Sequence, residues 1–161
     1  MHKQTPSQTV GPYFAYGLTP EQYGYDFKEL INNELSDPYD AKSIHLSGQV
    51  FDGEGQLIPD AMIELWYCEP DSKVFGRYGT GTDPQSRFHF YSLAPSQYLT
   101  LIVFMRGQLI HSYTRVYFNE ADIPAEVPKE RRKTLLAQGE AGHFTFDIHM
   151  QGPKETVFFQ I

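Results

Sequence analysis

From residue 42 onward the chain is a series of short strand-like segments separated by turn residues, and this pattern limits its fold more than any other feature. The segments are 44–51, 61–67, 87–93, 98–106, 108–118, 143–150 and 156–161. Turn sequences such as Asp52-Gly53-Glu54-Gly55 and Arg106-Gly107 lie between them. One short helix is predicted at 129–137, between Pro128 and Gly139. About seven to eight short strands with so little helix predict an all-β protein, a two-layer β-sandwich.

The first 41 residues have a different pattern, which predicts an extended arm followed by a helix. Residues 1–20 form the arm, because they contain residues that disfavour helices and sheet ladders: Pro6, Gly11, Pro12, Gly17 and Pro20. The aromatic residues of this arm predict that it packs on its own body or on another subunit. Residues 21–35 place apolar side chains at near-helical spacing, although Gly24 weakens a helix there.

The size and composition of the chain are those of one globular domain. Its 161 residues, of which 40% are hydrophobic and 20% charged, are enough to bury a core without a disulfide or a structural metal. We therefore predict a single domain over residues 1–161, with the sandwich core at 42–161.

Charge and hydropathy limit the partners and the compartment. The net charge of −7 disfavours binding to nucleic acid or to an anionic membrane surface, because both need positive charge on the protein. The longest apolar run, 99–105, is too short to cross a membrane. Cys68 is the only cysteine, and residues 1–9 lack the apolar core of a signal peptide. A cytoplasmic location is expected.

The sequence lacks the common nucleophile and nucleotide motifs, so it predicts no catalytic residue in this chain. It contains no Gly-x-Ser-x-Gly elbow, no phosphate-binding loop that ends in Gly-Lys-Ser/Thr, and no dinucleotide fingerprint. Cys68 ends an apolar strand, where a structural thiol is more common than a nucleophile.

Six histidines raise the question of a metal site, and spacing argues against one. Residues two apart on a strand share a face at ~6.6 Å, so a His-x-His pair would be half of a site, and the chain has none. His143 and His149 share a face but lie about 20 Å apart along a strand. Asp147 and His149 have suitable spacing but lack a third ligand. Three other histidines are neither favoured nor excluded as ligands: His45, His89 and His111.

One predicted strand face combines a cation with aromatic rings. Residues His111, Tyr113, Arg115 and Tyr117 alternate with a second set along 108–118 and therefore share a face. Such a face is either a packed, hydrogen-bonded surface or the wall of a pocket or subunit interface. The spacing alone leaves both interpretations open.

Several segments resemble the intradiol ring-cleaving dioxygenases in the same order along nearly the whole chain. They are Thr5-Pro6-Ser7-Gln8-Thr9-Val10-Gly11-Pro12-Tyr13-Phe14, 48–53, 63–66, 114–118 and 146–159. The resemblance implies a β-sandwich that pairs with a homologous beta chain. It further implies that the beta chain holds a non-haem ferric ion through two tyrosines and two histidines. The expected reaction is cleavage of protocatechuate with O₂ to 3-carboxy-cis,cis-muconate.

The ligands of that family do not carry over to this chain. Its His-x-His pair falls on Tyr98 and Thr100, and the first ligand tyrosine falls on Val74 in a shortened loop. The second ligand tyrosine belongs to a loop that is almost absent between Leu93 and Tyr98. The resemblance thus implies a non-iron-ligating alpha subunit, with no metal ligand and no catalytic residue of its own.

The resemblance also implies that this chain contributes part of the wall of the partner's substrate pocket. The residues placed there are Thr9, Val10, Gly11, Pro12, Tyr13 and Arg115. A glycine at position 11 lets a backbone approach closely, and a guanidinium at position 115 suits a substrate that carries a carboxylate. A structural ion pair is the alternative role for Arg115.

A different function stays open beside this one. The chain is then a diverged, iron-free β-sandwich that binds small aromatic molecules or partner chains without catalysis. The shortened loops at 70–75 and 94–98 favour this alternative, whereas the arm and Arg115 favour the dioxygenase subunit.

Overall fold

The computed structural model describes residues 9–160 and has two β-sheets with very little helix. The strands are Ser43–Phe51 (β1), Met62–Glu69 (β2), Ser72–Gly79 (β3), Arg87–Leu93 (β4), Tyr98–Phe104 (β5), Ser112–Tyr117 (β6), Gln138–Glu140 (β7), His143–Thr145 (β8) and Ile148–His149 (β9). The helix α1 is Lys129–Arg132, and single 3₁₀ turns lie at Ala15–Gly17, Glu21–Tyr23, Thr80–Thr82, Glu120–Asp122 and Lys133–Leu135. The predicted all-β class is confirmed.

The two sheets pack face to face and form the predicted sandwich. One sheet has the order β4-β1-β8-β7, and β9 continues on β1; the other has the order β3-β2-β5-β6. Alternate residues of each strand point into the core between the sheets, as Leu46 of β1 and Leu101 of β5 do. The opposite residues of β2, β5 and β6 form the outer face of the second sheet, which we call the outer β5–β6 face.

Most strand predictions with a clear apolar alternation are confirmed. The bounds of β4 are those predicted, and β1, β2 and β5 differ from the prediction by one to two residues at their ends. The prediction of 108–118 began too early, because β6 starts at Ser112 and Ile110 is 80% exposed.

Strand β3 was not predicted, and its formation corrects the placement of Val74. The segment was interpreted as a shortened loop, but Val74 lies in β3 opposite Tyr67 of β2. Two glycines and no clear alternation hide this strand in the sequence. Gly76 is needed there because a Cβ atom would come within 2.6 Å of the Asn32 carbonyl oxygen.

The predicted helix over 21–35 is wrong. One 3₁₀ turn forms at Glu21–Tyr23, and Gly24 ends it with a φ of +75°. The chain then runs along both sheet edges: Arg77 N–H of β3 donates to the Asn32 oxygen at 2.9 Å, and Tyr91 N–H of β4 donates to the Asn33 oxygen at 3.0 Å. These bonds satisfy edge groups of both sheets, which outweighs a weak helical periodicity.

The C-terminal part is less regular than predicted. The segment 143–150 is two short strands in one register on β1, interrupted where the Phe146 N–H donates to the Ser47 oxygen. The helix predicted at 129–137 is α-helical only over Lys129–Arg132. Residues 156–160 form no strand but cover the edge of β6, where the Phe159 N–H donates to the Tyr113 oxygen at 2.8 Å.

The arm packs on its own body, as one of the two predicted alternatives states. Val10 bridges Arg106, and the Phe14 ring lies 5.5 Å from that of Phe104. Residues 12–19 form turns, so the predicted extended conformation is wrong there, and the arm before residue 9 lies outside the described residues. In the part of the chain that the structure describes, no helix is long and apolar enough to cross a membrane.

Candidate functional site

Arg115 lies on the outer β5–β6 face between two aromatic rings. Its guanidinium carbon is 4.5 Å from the centre of the Tyr98 ring and 4.7 Å from that of Phe159. Tyr98 approaches because β5 pairs with β6, and Phe159 approaches because the C-terminal segment covers the edge of β6. The two rings hold the planar guanidinium in one orientation by cation–π contact.

The charge of Arg115 is not neutralised by the described residues. On the same face Arg77 forms an ion pair with the buried Glu64 at 2.7 Å, and Arg106 forms one with Asp60 at 2.8 Å. Arg115 takes part in no ion pair between residues 9 and 160. The structural ion pair considered from the sequence is therefore not found within this part of the chain.

Two polar atoms of β6 lie buried beneath this face, the Nε of Arg115 and the hydroxyl of Tyr117. Burial lowers the pKa of Arg115, but a hydrogen bond with Tyr117 and the neighbouring tyrosines raise the pKa above its ordinary value. Arg115 therefore keeps its positive charge at this place.

The described residues do not fit a ferric ion. Of the positions that the resemblance assigns to iron ligands, position 98 carries a phenol, position 100 carries Thr100, and position 74 carries the valine of β3. The phenol ring of Tyr98 lies under Arg115, whose charge repels a second cation at that place. Between residues 9 and 160, no three His, Cys, Asp or Glu side chains are close enough to hold a metal ion.

The structure does not bring the predicted arm residues together with Arg115. The bridge between Val10 and Arg106 lies beyond the end of β5, six residues along the chain from Thr100, the residue opposite Arg115. Six residues of strand span about 20 Å. Both features belong to the outer β5–β6 face, because Phe104 lies on that face and contacts Phe14. A partner chain that covers this face can contact both the arm and Arg115, but a substrate with a single aromatic ring cannot contact both.

Exposed apolar side chains surround the arm end of this face. Tyr13 is 72% exposed, and the β5–β6 loop adds Leu109 at 69% and Ile110 at 80%. A Cβ atom added at Gly11 would meet nothing within 4 Å among residues 9–160, so this part of the fold does not require that glycine. Apolar groups exposed next to one another are typical of protein–protein contacts.

Two of the histidines that the sequence left open come together on the other sheet. The His45 Nε2 and the His89 Nδ1 share a hydrogen bond at 3.1 Å, and the His89 Nε2 donates to Asp83 at 3.2 Å. His111 lies elsewhere, against Phe104. Asp147, considered with His149 as half of a metal site, accepts the Gln49 N–H at 3.0 Å instead.

This histidine cluster predicts a loss of stability on acidification. Burial, His89 and His143 lower the pKa of His45 below its ordinary value of 6.5. The unfolded chain therefore binds this proton more strongly than the folded chain, so the free energy of unfolding falls as the pH drops below 6.5. Urea titrations at several pH values between 7.5 and 5 give the free energy of unfolding at each pH. This free energy should fall less steeply with decreasing pH in His45→Phe, whose ring can still stack on Tyr91.

The matched control for this prediction is His111→Phe, since His111 is exposed and outside the cluster. The free energy of unfolding of His111→Phe should depend on pH as steeply as that of the unsubstituted chain. An equal loss of slope in both variants would show that the cluster does not carry the effect.

Solved structures with this architecture include intradiol enzymes. The intradiol ring-cleavage dioxygenase from Tetranychus urticae superposes with a TM-score of 0.55, and the match covers 83% of this chain and 92% of that chain. The sequence identity is 11%, so this likeness concerns the fold alone. The fold is that of the intradiol dioxygenases.

Curated relatives give the family. The chain is 44% identical to the protocatechuate 3,4-dioxygenase alpha chain of Burkholderia cepacia, with 99% of this chain and 98% of that one covered. It is 33% identical to the alpha chain of the same name from Pseudomonas putida, with 97% and 96% covered. No family model matches the chain. The chain belongs to the family of protocatechuate 3,4-dioxygenase alpha chains.

The comparison also shows how this chain differs in length from that relative. The alignment with the Burkholderia cepacia protein has 193 positions, 32 more than the 161 residues of this chain. The relative thus carries at least 32 positions without a counterpart here. The prediction that the shortening falls at 70–75 and 94–98 stays a prediction.

The sequence pointed to Arg115 but missed the residues that hold it. Tyr98 was considered only as a replaced ligand, although pairing of the strands before and after Arg106-Gly107 would have placed it near β6. Phe159 lies 44 residues from Arg115 and reaches it through an irregular tail, for which the sequence gives no signal.

Proposed function

We propose that this chain is the non-iron-ligating alpha subunit of a cytoplasmic, heteromeric intradiol dioxygenase. The complex cleaves protocatechuate with O₂ to 3-carboxy-cis,cis-muconate, and a homologous beta chain holds the ferric iron. The observation that carries the proposal is Arg115: an unpaired cation, oriented by two rings, on a sheet face that the described chain leaves open. The relatives named alpha chains support a heteromeric assembly.

The residues at the family's ligand positions support iron binding by the partner rather than by this chain. Tyr98 and Thr100 stand where the family has its histidine pair, and Val74 stands where it has its first ligand tyrosine. Arg115 lies opposite Thr100 and brings a fixed positive charge to this face. The same charge favours a carboxylate at this place, so this chain is suited to hold the substrate's acid group.

The roles proposed for the pocket-wall residues follow from their placement. Arg115 binds and orients the substrate carboxylate through charge-assisted hydrogen bonds. Thr9, Val10, Gly11, Pro12 and Tyr13 form the part of the wall near the end of β5, where they exclude water. A Cβ atom at Gly11 would meet no atom of residues 9–160 within 4 Å, so a partner backbone can approach this glycine closely.

The binding-module alternative is supported by one finding, the 32 or more positions that the Burkholderia cepacia relative has beyond this chain. In that case the chain binds small aromatic molecules or partner chains without taking part in catalysis. The open face around Arg115 would serve this function as well. The two functions differ in whether iron and a second chain copurify with this one.

Coexpression with a homologous iron-binding chain separates the two functions. We expect both chains to copurify in one complex that contains iron, absorbs visible light and consumes O₂ when protocatechuate is added. This chain expressed alone should bind less than about 0.1 iron per chain, because Tyr98 and Thr100 stand at the positions of the family's histidine ligands.

A matched control is the iron-binding chain expressed alone, which shows what the second chain adds. A self-associating sandwich that never copurifies with that chain would support the binding module instead. Stoichiometric iron in the isolated alpha chain would contradict the non-ligating role.

A further inference from the structure

Three arginines near the outer β5–β6 face are oriented in two different ways. Arg77 is held by the carboxylate of Glu64 at 2.7 Å, and Arg106 is held by that of Asp60 at 2.8 Å. Arg115 lies between two rings instead and takes part in no ion pair in the described part of the chain. A carboxylate neutralises the arginine that it orients, whereas an aromatic ring orients the guanidinium plane and leaves the charge in place.

One of the two rings, that of Phe159, belongs to the C-terminal segment, which is bonded to β6 through its backbone. The Phe159 N–H donates to the Tyr113 oxygen at 2.8 Å, and Tyr113 lies two residues before Arg115 on the same face of β6. The Thr114 hydroxyl donates to the Val157 oxygen at 2.8 Å. These bonds bring the Phe159 ring to Arg115, with its centre 4.7 Å from the guanidinium carbon.

The C-terminal segment is anchored before Phe159 as well. Thr156 is buried, its N–H donates to the His149 oxygen at 2.8 Å, and its hydroxyl accepts the His149 N–H at 3.0 Å. The Val157 N–H donates to the Thr134 hydroxyl at 3.3 Å. A segment whose backbone is bonded at successive residues has little conformational freedom, so it holds the Phe159 ring in one place.

The other ring, that of Tyr98, approaches from β5. It lies 4.5 Å from the guanidinium carbon of Arg115 and packs against Tyr117, its partner on β6, with ring centres 5.4 Å apart. A free arginine side chain has many rotamers, and a ligand that selects one of them binds more weakly for that reason. The two rings remove this freedom before a ligand arrives.

We propose that Phe159 and Tyr98 are positioning residues for Arg115, and that the C-terminal segment thereby sets the selectivity of the complex for carboxylated over uncarboxylated catechols. Both rings act through the orientation of the guanidinium. The selectivity rests on the proposed function, in which Arg115 binds the substrate carboxylate. The positioning is a property of this chain alone and is measured without a partner.

The first measurement follows the Nε–Hε pair of Arg115 in the full chain by ¹⁵N NMR relaxation. In the unsubstituted chain its order parameter should be that of a rigid group, about 0.85, and in Phe159→Leu it should fall below about 0.6. Leucine keeps an apolar side chain at this position but offers the guanidinium no ring face. An Nε–Hε pair that stays rigid in Phe159→Leu would overturn the positioning role.

The second measurement compares the KM values of the assembled complex for protocatechuate and catechol. Phe159→Leu should raise the KM for protocatechuate about three- to tenfold, which corresponds to the cost of ordering one long side chain on binding. The KM for catechol should change by less than about twofold, because catechol has no carboxylate to contact Arg115.

Phe158→Leu is the matched control, since it makes the same substitution in the same segment. Phe158 packs against the core between the sheets and is not one of the rings at Arg115. Its substitution should leave the order parameter and the ratio of the two KM values unchanged. Phe159→Tyr keeps the ring face and should also leave both unchanged. An equal effect of Phe158→Leu and Phe159→Leu would assign the change to packing of the segment and overturn the proposal.

Arg115→Ala separates a failure of this inference from a failure of the proposed function. In the Arg115→Ala background, Phe159→Leu should change the KM for protocatechuate by less than about twofold, because no guanidinium is left to position. If Arg115→Ala shifts the ratio of KM values and Phe159→Leu does not, the inference is overturned and the proposed function stands. If Arg115→Ala leaves the ratio unchanged, the proposed carboxylate role fails, and the selectivity assigned to the C-terminal segment fails with it.

Discussion

Replacing Arg115 with alanine in the assembled complex should raise the KM for protocatechuate by about 10- to 100-fold, while the KM for catechol changes by less than about threefold. A hydrogen bond to a charged group contributes about 1.5–3 kcal/mol, which corresponds to that range. Catechol has no carboxylate, so it loses no such bond. The ratio of the two KM values measures the contribution of Arg115 to recognition of the acid group.

Conservative variants separate the charge of Arg115 from its packing. Arg115→Lys keeps the charge but loses the planar stacking on Tyr98 and Phe159, and we expect an intermediate KM for protocatechuate. Arg87→Ala is the matched control, since Arg87 begins β4 in the other sheet. It should leave both KM values unchanged.

An equal rise in KM for both substrates would assign Arg115 a structural role. Loss of the complex on purification would do the same, because it would place Arg115 in the contact between chains. A large change for protocatechuate alone requires the carboxylate contact, since folding and assembly affect both substrates alike.

The parts of the fold that the sequence predicted are those that local patterns determine. In β1 and β4, every second side chain enters the core, so the alternation is visible in the residues themselves. The segment 32–36 depends instead on hydrogen bonds to two sheet edges that are distant in the sequence. Its apolar residues resemble a helix in spacing, and local spacing cannot report where the edges lie.

The candidate site also has features that local patterns determine and features that depend on residues distant in the sequence. The shared face of Tyr113, Arg115 and Tyr117 follows from alternation and was predicted as a packed surface or a wall. The sandwich of Arg115 between Tyr98 and Phe159 depends on strand pairing and on the path of the tail. The hydrogen bond between His45 and His89 depends on the register of β1 against β4, which a single sequence does not specify.

Gly48→Ala should lower the free energy of unfolding by roughly 3 kcal/mol or more, the upper end of the cost of overpacking a core. Gly48 lies in β1 where the ladder to β8 and β9 is interrupted. A Cβ atom there would clash with the Phe146 carbonyl oxygen and would come within 2.6 Å of the Phe88 Cζ. The first contact is with backbone and the second with a fully buried ring, so neither can move away cheaply.

Gly17→Ala is the control for this prediction, because a Cβ atom at Gly17 meets nothing within 4 Å and its backbone has no positive φ. That substitution should change the free energy of unfolding by less than about 1 kcal/mol in either direction. Urea unfolding followed by circular dichroism measures both variants under the same conditions. If Gly48→Ala were as stable as Gly17→Ala, β1 and the C-terminal strands could not approach as closely as they do here. The parallel pairing of β1 with β8 and β9 would then be wrong, and so would the placement of the tail that carries Phe159 to Arg115.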